Sequence, residues 1–422
     1  MSAPRPHTDA SSTNTLLITL TGPDRPGVTA AMFETLGQHG VEVMDIEQIV
    51  LRGRIILGVL VQSPQSGRAR DIRARDSRAL EAAVQATAAR LGMTAMVEAG
   101  LGDNLSRATG RSLVTVIGAP LRAAEMAIIM GRVADTGANI DRIERMARYP
   151  VTAIQMHVSG TDPLMLRMML AATAADLPCD VAVQRADLSQ RGSKLLVMDV
   201  DSTFITGEVI EMVAKRAGVE REVAEITERA MRGELDFEES FRARIALLRG
   251  LPASVLDEVY DEITLTPGAR TLVRSLRRLG YRFALVSGGF AQIVRRLADD
   301  LGIHFSRSNE LEIVDGLLTG DVVGPVLDRA GKAAALREFA AAIGIPLRAT
   351  VAIGDGANDL DMLSAAGLGV AYNAKPIVAK AADTSVTVPF LDPIIYLLGV
   401  TREEIEAADA EEGVVTPAPR LG

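Results

Sequence analysis

The chain has 422 residues, of which 48% are hydrophobic and 23% are charged, values that are typical of globular proteins. This length predicts two or more domains. The net charge of −9 and the lack of tryptophan argue against nucleic acid as a partner, because phosphate backbones require clustered cations and single strands favour aromatic platforms. No apolar run reaches the roughly 18 residues of a membrane span, so no membrane partner is expected either.

The N-terminus is rich in Pro, Ser and Thr and shows no secretory signal pattern. Residues 1–13 are predicted to be a disordered tail. A single cysteine, Cys179, cannot form an internal disulfide, which favours the reducing cytosol. It is expected to be a small buried hydrophobic residue.

Residues 14–100 show hydrophobic patterns in the order βαββαβ. The predicted elements of this first copy are 16–20, 28–38, 41–50, 55–62, 76–90 and 93–98, with a turn at 21–27. Residues 111–185 repeat the order, with predicted elements at 113–117, 122–135, 140–146, 152–158, 163–174 and 180–184. The string G-x-x-V-x-x-I-E from Gly40 recurs as G-x-x-I-x-x-I-E from Gly137, 97 residues later, which indicates a duplicated domain.

The loop before the first helix runs Gly-Pro-Asp-Arg-Pro-Gly-Val and contains Asp24, Gly27 and Val28. It resembles the loop of ACT domains, small regulatory modules that often bind amino acids. Glycine lets the backbone approach a ligand, and a helix N-terminus offers N–H groups to a carboxylate. A plain Pro-Gly turn explains the same residues equally well. The corresponding loop from Gly118 to Arg122 lacks the aspartate and the second glycine, which weakens the case for a ligand there.

The carboxyl-terminal half is organised around residues 194–203. An apolar run there predicts a strand buried on both faces, and Asp199 and Asp201 follow it. Ligands of parallel sheets lie beyond the carboxyl ends of the strands, and residues two apart on a strand share a face, so we expect both carboxylates to address one bound group. Their mutual repulsion requires a cation or a shared proton. The alternative is a solvated turn.

Similar strand-then-polar patterns occur further along the chain. Ser287 and Gly288 follow the apolar run 283–286, and Asp355 and Asn358 follow the run 350–353. Lys332 lies near the start of a helical stretch between them. This ordered set resembles the haloacid dehalogenase-type phosphatases, and within them the phosphoserine phosphatase family, over about residues 190–400.

The resemblance implies an α/β fold: a doubly wound parallel-sheet catalytic domain at 194–400 with a helical cap inserted at 206–265. Two α+β, ferredoxin-like ACT-like domains precede it at 14–100 and 111–185. The remaining expected segments are a linker at 186–193, cap helices at 208–249 and 253–261, a helix at 270–279, a hairpin at 309–323 with its turn at 315–316, and a loose tail from 407 to 422.

The resemblance also assigns the chemistry. It implies that Asp199 is the nucleophile that forms an aspartyl-phosphate, and that Asp201 is the acid for the leaving oxygen and then the base for water. Mg²⁺ would be held by Asp199, Asp355 and the main-chain carbonyl of Asp201.

The phosphate group would be held by four residues. These are Ser287, the Gly288 amide, Lys332 and Asn358. Asp359 either orients Lys332 or belongs to the start of a helix, and a supporting role for the metal is a lesser alternative.

Specificity is expected from the cap. In the family pattern Glu208 and Arg244 meet the ammonium and carboxylate of the substrate, while Met231 and Phe237 line the cap with apolar surface. The alternative for the charged pair is ordinary surface charge on helices.

The expected function is therefore Mg²⁺-dependent hydrolysis of O-phospho-L-serine in L-serine biosynthesis. The amino-terminal half is expected to form a homodimer and to bind L-serine as an allosteric ligand. Two alternatives stay open: a phosphatase or phosphotransferase acting on another small phosphomonoester, and an amino-acid sensor with a vestigial phosphatase domain.

Overall fold

The structure, a computed structural model, describes residues 14–62, 70–101, 110–186, 194–232 and 234–417, apart from the side chains of residues 70–75 and Met231. The expected disordered tail and nearly all of the expected linker lie outside the described residues. Two compact units, Met1–Arg107 and Ala108–Gly422, make up the chain, and each is described by itself. Within the described ranges, none of the helices combines the length and apolarity that a membrane crossing requires.

The first unit is an antiparallel four-stranded sheet in the order β2-β3-β1-β4. Its elements are β1 Asn14–Pro23, α1 Val28–Gln38, β2 Val43–Leu51, β3 Arg54–Gln62, α2 Arg70–Leu91 and β4 Thr94–Leu101. Alternate residues of β1, such as Leu16 and Ile18, share one core with Met32 of α1 and Val84 of α2. The predicted βαββαβ order is confirmed. The turn expected at 21–27 begins later, because β1 stays paired with β3 up to Pro23.

The second unit begins with a sheet of the same order, β6-β7-β5-β8. Its elements are β5 Ser112–Gly118, α3 Ala123–Asp135, β6 Asn139–Ala147, β7 Thr152–Ser159, α4 Pro163–Ala174 and β8 Cys179–Arg185. The helices cover one face of this sheet. Residues of its other face, including Ile117 and Ala182, belong to the same core as Leu196 of the following sheet and Tyr396 of a helix that follows that sheet. The second copy is therefore packed firmly onto the catalytic part of the chain.

A seven-stranded sheet in the order β12-β11-β10-β9-β13-β14-β15 forms the rest of the second unit. Its strands are β9 Leu195–Met198, β10 Arg282–Phe290, β11 Phe305–Val314, β12 Leu317–Val323, β13 Thr350–Gly354, β14 Leu368–Tyr372 and β15 Thr384–Val386. All neighbours are parallel except the β11–β12 hairpin. Leu196 and Met198 of β9 pack into the core on one face, and Leu195 and Val197 pack into the core on the other. This is the doubly wound arrangement predicted for the domain.

The cap is inserted between Phe204 and Thr266. It contains the helices α5 Val209–Ala217, α6 Glu220–Met231, α7 Phe237–Ala246 and α8 Val255–Glu262. The single helical stretch expected at 208–249 is three helices, because Gly218 ends α5 with φ 70 and Asp236 caps α7 with a 2.8 Å bond from the Glu239 amide. A bridge between Ile205 and Leu265 joins the two ends of the cap.

The remaining helices flank the large sheet. They are α9 Ala269–Arg278, α10 Ala291–Leu301, α11 Arg329–Ala342, α12 Leu360–Ala365, α13 Pro376–Ala381, α14 Ile394–Leu397 and α15 Arg402–Glu411. The structure differs from the loose tail expected from residue 407, since α15 continues to Glu411. Asp409 is fully buried and accepts bonds from Arg274 (2.9 Å) and Arg278 (2.6 Å), which anchor the helix on α9.

The contact between β8 and the large sheet predicts a pH effect on stability. Asp180 accepts bonds from the Thr387 amide (2.9 Å) and hydroxyl (3.2 Å). Burial raises the pKa of Asp180 from 3.8 to about 6, although these bonds oppose the rise. The folded state thus holds the proton more tightly, and the free energy of unfolding falls as pH rises from about 4 to about 6. The contribution of Asp180 to this fall is about 3 kcal/mol, and we expect Asp180→Asn to remove it. Denaturant unfolding of the full chain at several pH values measures the free energy of unfolding.

The control for this experiment is Asp176→Asn, since Asp176 is exposed on the loop before β8. It should keep the pH dependence of the wild type. The same pH dependence in Asp180→Asn and the wild type would contradict the prediction.

Candidate active site

Asp199 and Asp201 lie at an irregular turn, Val200–Phe204, after the central strand β9. The strand ends at Met198, so the turn, and not strand alternation, positions the two carboxylates. Ser202 within the turn has a left-handed φ of 56. Such a conformation costs a non-glycine residue about 1–3 kcal/mol, and residues that adopt it cluster at active sites and ligand-binding turns. The turn directs the two carboxylates to different partners.

Asp199 pairs with a buried lysine. Lys332 of α11 donates from Nζ to Oδ1 of Asp199 and to Oδ1 of Asp359, both at 2.7 Å. Burial alone would lower the pKa of Lys332, but the two carboxylates outweigh it and raise that pKa, so the amine is charged. Burial and the Asp359 charge raise the pKa of Asp199, and Lys332 opposes this rise. A positive charge is thereby fixed beside the Asp199 carboxylate.

Asp201 is held by the cap and by the neighbouring strand. Its Oδ1 accepts a bond from the Val209 amide at 2.8 Å, and its Oδ2 accepts one from the Ser287 hydroxyl at 2.9 Å. Burial raises the pKa of Asp201, and these two bonds oppose the rise. A Cβ on Gly289 would lie 2.9 Å from both Oδ2 of Asp201 and the Ser287 hydroxyl, so a larger residue there would displace at least one of the pair.

Three carboxylates lie together where β9 and β13 end. Asp199, Asp355 and Asp359 each offer an oxygen atom, and these atoms lie within 4.8 Å of one another. Hard carboxylate oxygens are the ligands that Mg²⁺ prefers, and a divalent cation relieves the repulsion within the group. Oδ1 of Asp355 accepts a bond from the Thr203 hydroxyl at 3.0 Å, and burial raises the pKa of Asp355. The donor set therefore fits a divalent cation.

Asp359 is not among the metal ligands that the resemblance implied. Those ligands were Asp199, Asp355 and the Asp201 carbonyl. Its Oδ1 binds Lys332, and its Oδ2 accepts a bond from the Gly356 amide at 3.1 Å. Both oxygens are thus engaged with protein groups. Asp359 holds Lys332 in place beside the other carboxylates.

The cap contributes two opposite charges near the turn. Glu208 accepts a bond from the Ser202 hydroxyl at 3.0 Å, and burial together with the Asp201 charge raises the pKa of Glu208 to about 7. Arg244 is half-buried on α7, where its Nε donates to the Ser240 carbonyl at 3.3 Å. Burial lowers the pKa of Arg244, and the charge of Glu208 opposes this. The two side chains are close enough to influence each other electrostatically.

Of the two apolar residues predicted to line the cap, the structure describes the side chain of Phe237 but not that of Met231. Phe237 stacks on Phe241 with ring centroids 6.1 Å apart, and it reaches Gly288, where an added Cβ would lie 3.4 Å from the Phe237 ring. Phe237 therefore lies over Gly288. Met231 is the last residue of α6, and its side chain lies outside the described part of the structure.

Three residues that support the site were not among the site residues predicted from the sequence: Thr203, Thr266 and Asn309. Thr203 binds Asp355, and the Thr266 hydroxyl donates to the Thr203 carbonyl at 2.7 Å, which ties the turn to the returning end of the cap. Asn309 lies inside a predicted hairpin, where nothing distinguishes it from an ordinary strand residue. Asn358, in contrast, was assigned to the phosphate from the sequence, and it is half-buried in the short turn Ala357–Asp359, between the two aspartates of that strand end.

The loop proposed to bind a regulatory ligand belongs to the first unit. Gly27 precedes α1 with φ 91, a backbone conformation that favours glycine. Asp24 is exposed, and its amide donates to the Gly53 carbonyl at 2.8 Å. The Val28 side chain is buried in the core, and its amide donates to the Arg25 carbonyl at 3.4 Å.

Comparison with known proteins agrees with this architecture. The haloacid dehalogenase-like hydrolase family matches residues 196–364, and ACT domain families match residues 14–98 and 111–184. A haloacid dehalogenase family hydrolase from Salmonella enterica has a similar structure, with a TM-score of 0.60 and 28% identity over 68% of this chain and 98% of that one. A probable phosphoserine phosphatase from Vibrio cholerae has a TM-score of 0.53 and 33% identity, over 71% of this chain and 88% of that one.

Two relatives match almost the whole chain. A phosphoserine phosphatase from Streptomyces coelicolor is 57% identical over 399 residues, which are 94% of this chain and 95% of the relative. Another from Mycobacterium tuberculosis is 50% identical over 397 residues, with the same two coverages of 94% and 95%. The resemblance and the fold class predicted from the sequence are confirmed. With such identity along both chains, this chain belongs to the phosphoserine phosphatase family of haloacid dehalogenase-like hydrolases and carries two ACT domains.

Proposed function

We propose that this protein hydrolyses O-phospho-L-serine to L-serine and inorganic phosphate through an aspartyl-phosphate on Asp199, as a step of L-serine biosynthesis. The observation that carries the proposal is the pairing at the end of β9, where Asp199 contacts buried Lys332 and Asp201 contacts Ser287. The family's activity on phosphoserine supports the substrate. The single cysteine is free and buried, which supports a reducing compartment such as the cytosol.

In the first step a carboxylate oxygen of Asp199 attacks phosphorus, and the bond from phosphorus to the seryl oxygen breaks. Asp201 gives its proton to that leaving oxygen. Burial raises the pKa of Asp201, which favours the protonated form that this step needs. In the second step Asp201 takes a proton from water, the water oxygen attacks phosphorus, and the phosphate leaves Asp199.

The phosphate oxygens carry negative charge throughout, and Lys332, Ser287, the Gly288 amide and Asn358 would stabilise that charge. Asp199, Asp355 and the Asp201 carbonyl would hold Mg²⁺. When bound, Mg²⁺ neutralises charge on the carboxylates and on the phosphate.

Recognition of the amino-acid end belongs to the cap. Glu208 suits the substrate ammonium, and Arg244 suits its carboxylate through a two-pronged contact. Phe237 lies over residues 287–289, the segment that we call the phosphate loop. Together with Met231 it would exclude water from the site.

The first ACT domain is proposed to regulate the enzyme. L-serine would place its carboxylate at the backbone amides around Gly27 and Val28, and its ammonium at Asp24.

We also propose that the full chain is a homodimer. Strand β2 is an edge of the first sheet and exposes Ile49 (49%) and Leu51 (60%), a surface that pairing with a second copy would cover. Sedimentation equilibrium of the full chain measures this.

The first prediction concerns the two aspartates. Asp199→Asn should abolish turnover of O-phospho-L-serine because it removes the nucleophile. Asp201→Asn should lower the rate by about 10²- to 10⁴-fold because it removes the acid and base. Single-turnover assays measure both. Asp361→Asn, an exposed carboxylate on α12, is the control and should retain normal rates, whereas a normal rate in either test variant would refute the mechanism.

The second prediction concerns the metal. Treatment with a chelator should remove activity, and Mg²⁺ should restore it. Ca²⁺ should restore it poorly, because Ca²⁺ takes more ligands at longer distances than the compact Mg²⁺ octahedron. Phosphate release from metal-free enzyme, before and after each cation, measures the effect. Full activity without any divalent cation would rule out this role for the carboxylate cluster.

The third prediction concerns substrate recognition. Arg244→Ala should weaken catalysis on phosphoserine by about 2–5 kcal/mol, because the substrate carboxylate loses its charged partner. Phosphoethanolamine lacks that carboxylate and should be affected much less. The ratio of kcat/KM values measures the difference. Arg242→Ala is the matched control, since Arg242 lies on the same helix and pairs with Glu238 at 2.8 Å. Equal losses on both substrates would assign Arg244 to the fold or to the phosphate.

The fourth prediction concerns regulation. L-serine should inhibit the full chain about 5- to 150-fold, the range of typical allosteric coupling. Asp24→Ala should weaken this inhibition, and Glu34→Ala, an exposed carboxylate on α1, should leave it intact. Rate measurements over a range of L-serine concentrations decide the matter. Undiminished inhibition in Asp24→Ala would indicate simple product inhibition at the catalytic site.

A further inference from the structure

Asn309 joins two segments of the catalytic domain through its side-chain amide: the irregular end of β10 and the loop before α11. Its Nδ2 donates to the Gly288 carbonyl at 2.8 Å, and its Oδ1 accepts from the Leu327 amide at 2.7 Å. The residue is 3% exposed. Both ends of the amide are therefore satisfied by backbone groups that are distant in sequence.

The first of these segments, residues 287–289, has no regular pairing with β11. Strands β10 and β11 pair in register up to Val286, and the register shifts before Phe290. Ser287, Gly288 and Gly289 fall within this irregular stretch, and two consecutive glycines have more conformational freedom than any other pair. The Asn309 side chain supplies a bond to the backbone at the point where the sheet does not.

The second loop leads to the helix that carries Lys332. Leu327 precedes Asp328, whose side chain caps α11 by accepting a bond from the Gly331 amide at 2.7 Å. One turn into α11, Lys332 reaches Asp199. Asn309 thus connects the backbone of the phosphate loop to the start of the lysine helix.

We propose that Asn309 is a positioning residue that sets the placement of the Gly288 amide relative to Lys332, and so controls phosphate affinity. The inference rests on the proposed function, in which both groups bind the phosphate. Asn309 would act through the two backbone groups that its side chain binds, the Gly288 carbonyl and the Leu327 amide. Its effect is specific to the phosphate end, because Glu208 and Arg244 lie on the cap.

The test uses the full chain with Mg²⁺ and two substitutions. Asn309→Leu has a similar volume and makes neither bond, and Asn309→Ser is smaller and retains a hydroxyl. We expect the inhibition constant of inorganic phosphate to rise, and kcat/KM for phosphoserine to fall, by about 10- to 100-fold in Asn309→Leu. Asn309→Ser should show a smaller change. The preference for phosphoserine over phosphoethanolamine should be unchanged, since both carry the phosphate.

Thr350→Val is the matched control for loss of a buried hydrogen bond. Thr350 is 1% exposed, and its hydroxyl donates to the Leu347 carbonyl at 2.7 Å at the end of β13 away from the site. It should lower the thermal unfolding midpoint and leave the phosphate inhibition constant unchanged.

Three results would overturn the proposal: an unchanged phosphate constant in folded Asn309 variants, a loss of preference between the two substrates, or failure of both variants to fold, which would make Asn309 a residue of the fold. If the wild type hydrolyses no phosphomonoester, the proposed function fails separately. Calorimetric titration with inorganic phosphate then still compares wild type and variants, and equal affinities reject the positioning role.

Discussion

The catalytic half depends on one buried charge cluster, in which Lys332 contacts Asp199 and Asp359 at 2.7 Å each. Removing an ammonium group from water is costly, and only two well-placed carboxylates offset that cost here. The cluster links three segments that are far apart in sequence: the turn after β9, the helix α11 and the turn after β13. The order of the sheet, with β13 beside β9, brings those segments together.

Asp201, the proposed acid, is held from a different part of the molecule. It is bound by Ser287 of the sheet and by the amide of Val209, the first residue of cap helix α5. The carboxyl that we propose as the acid and base is therefore tied to the cap, the element proposed to recognise the substrate.

The two ACT domains differ in their surroundings. In the second, one sheet face is buried in the core of the large sheet, and Gln184 donates to the Leu397 carbonyl at 2.6 Å. This domain therefore contributes to the stability of the catalytic part, and its loop lacks the aspartate of the first copy. The first domain belongs to a separate compact unit and retains Asp24 and Gly27, the residues of the loop proposed to bind a ligand.

Local sequence patterns by themselves determined the βαββαβ order, the central strand and the polar residues after each strand, because hydrophobic periodicity and turn residues are local properties. The tertiary structure alone decided which carboxylate meets which partner. The sequence suggested strand alternation for Asp199 and Asp201, but the strand ends at Met198 and a left-handed Ser202 redirects the chain. Asn309 resembles any polar strand residue until the fold places Gly288 and Leu327 on either side of it. Such roles depend on contacts between distant segments, and no local pattern records them.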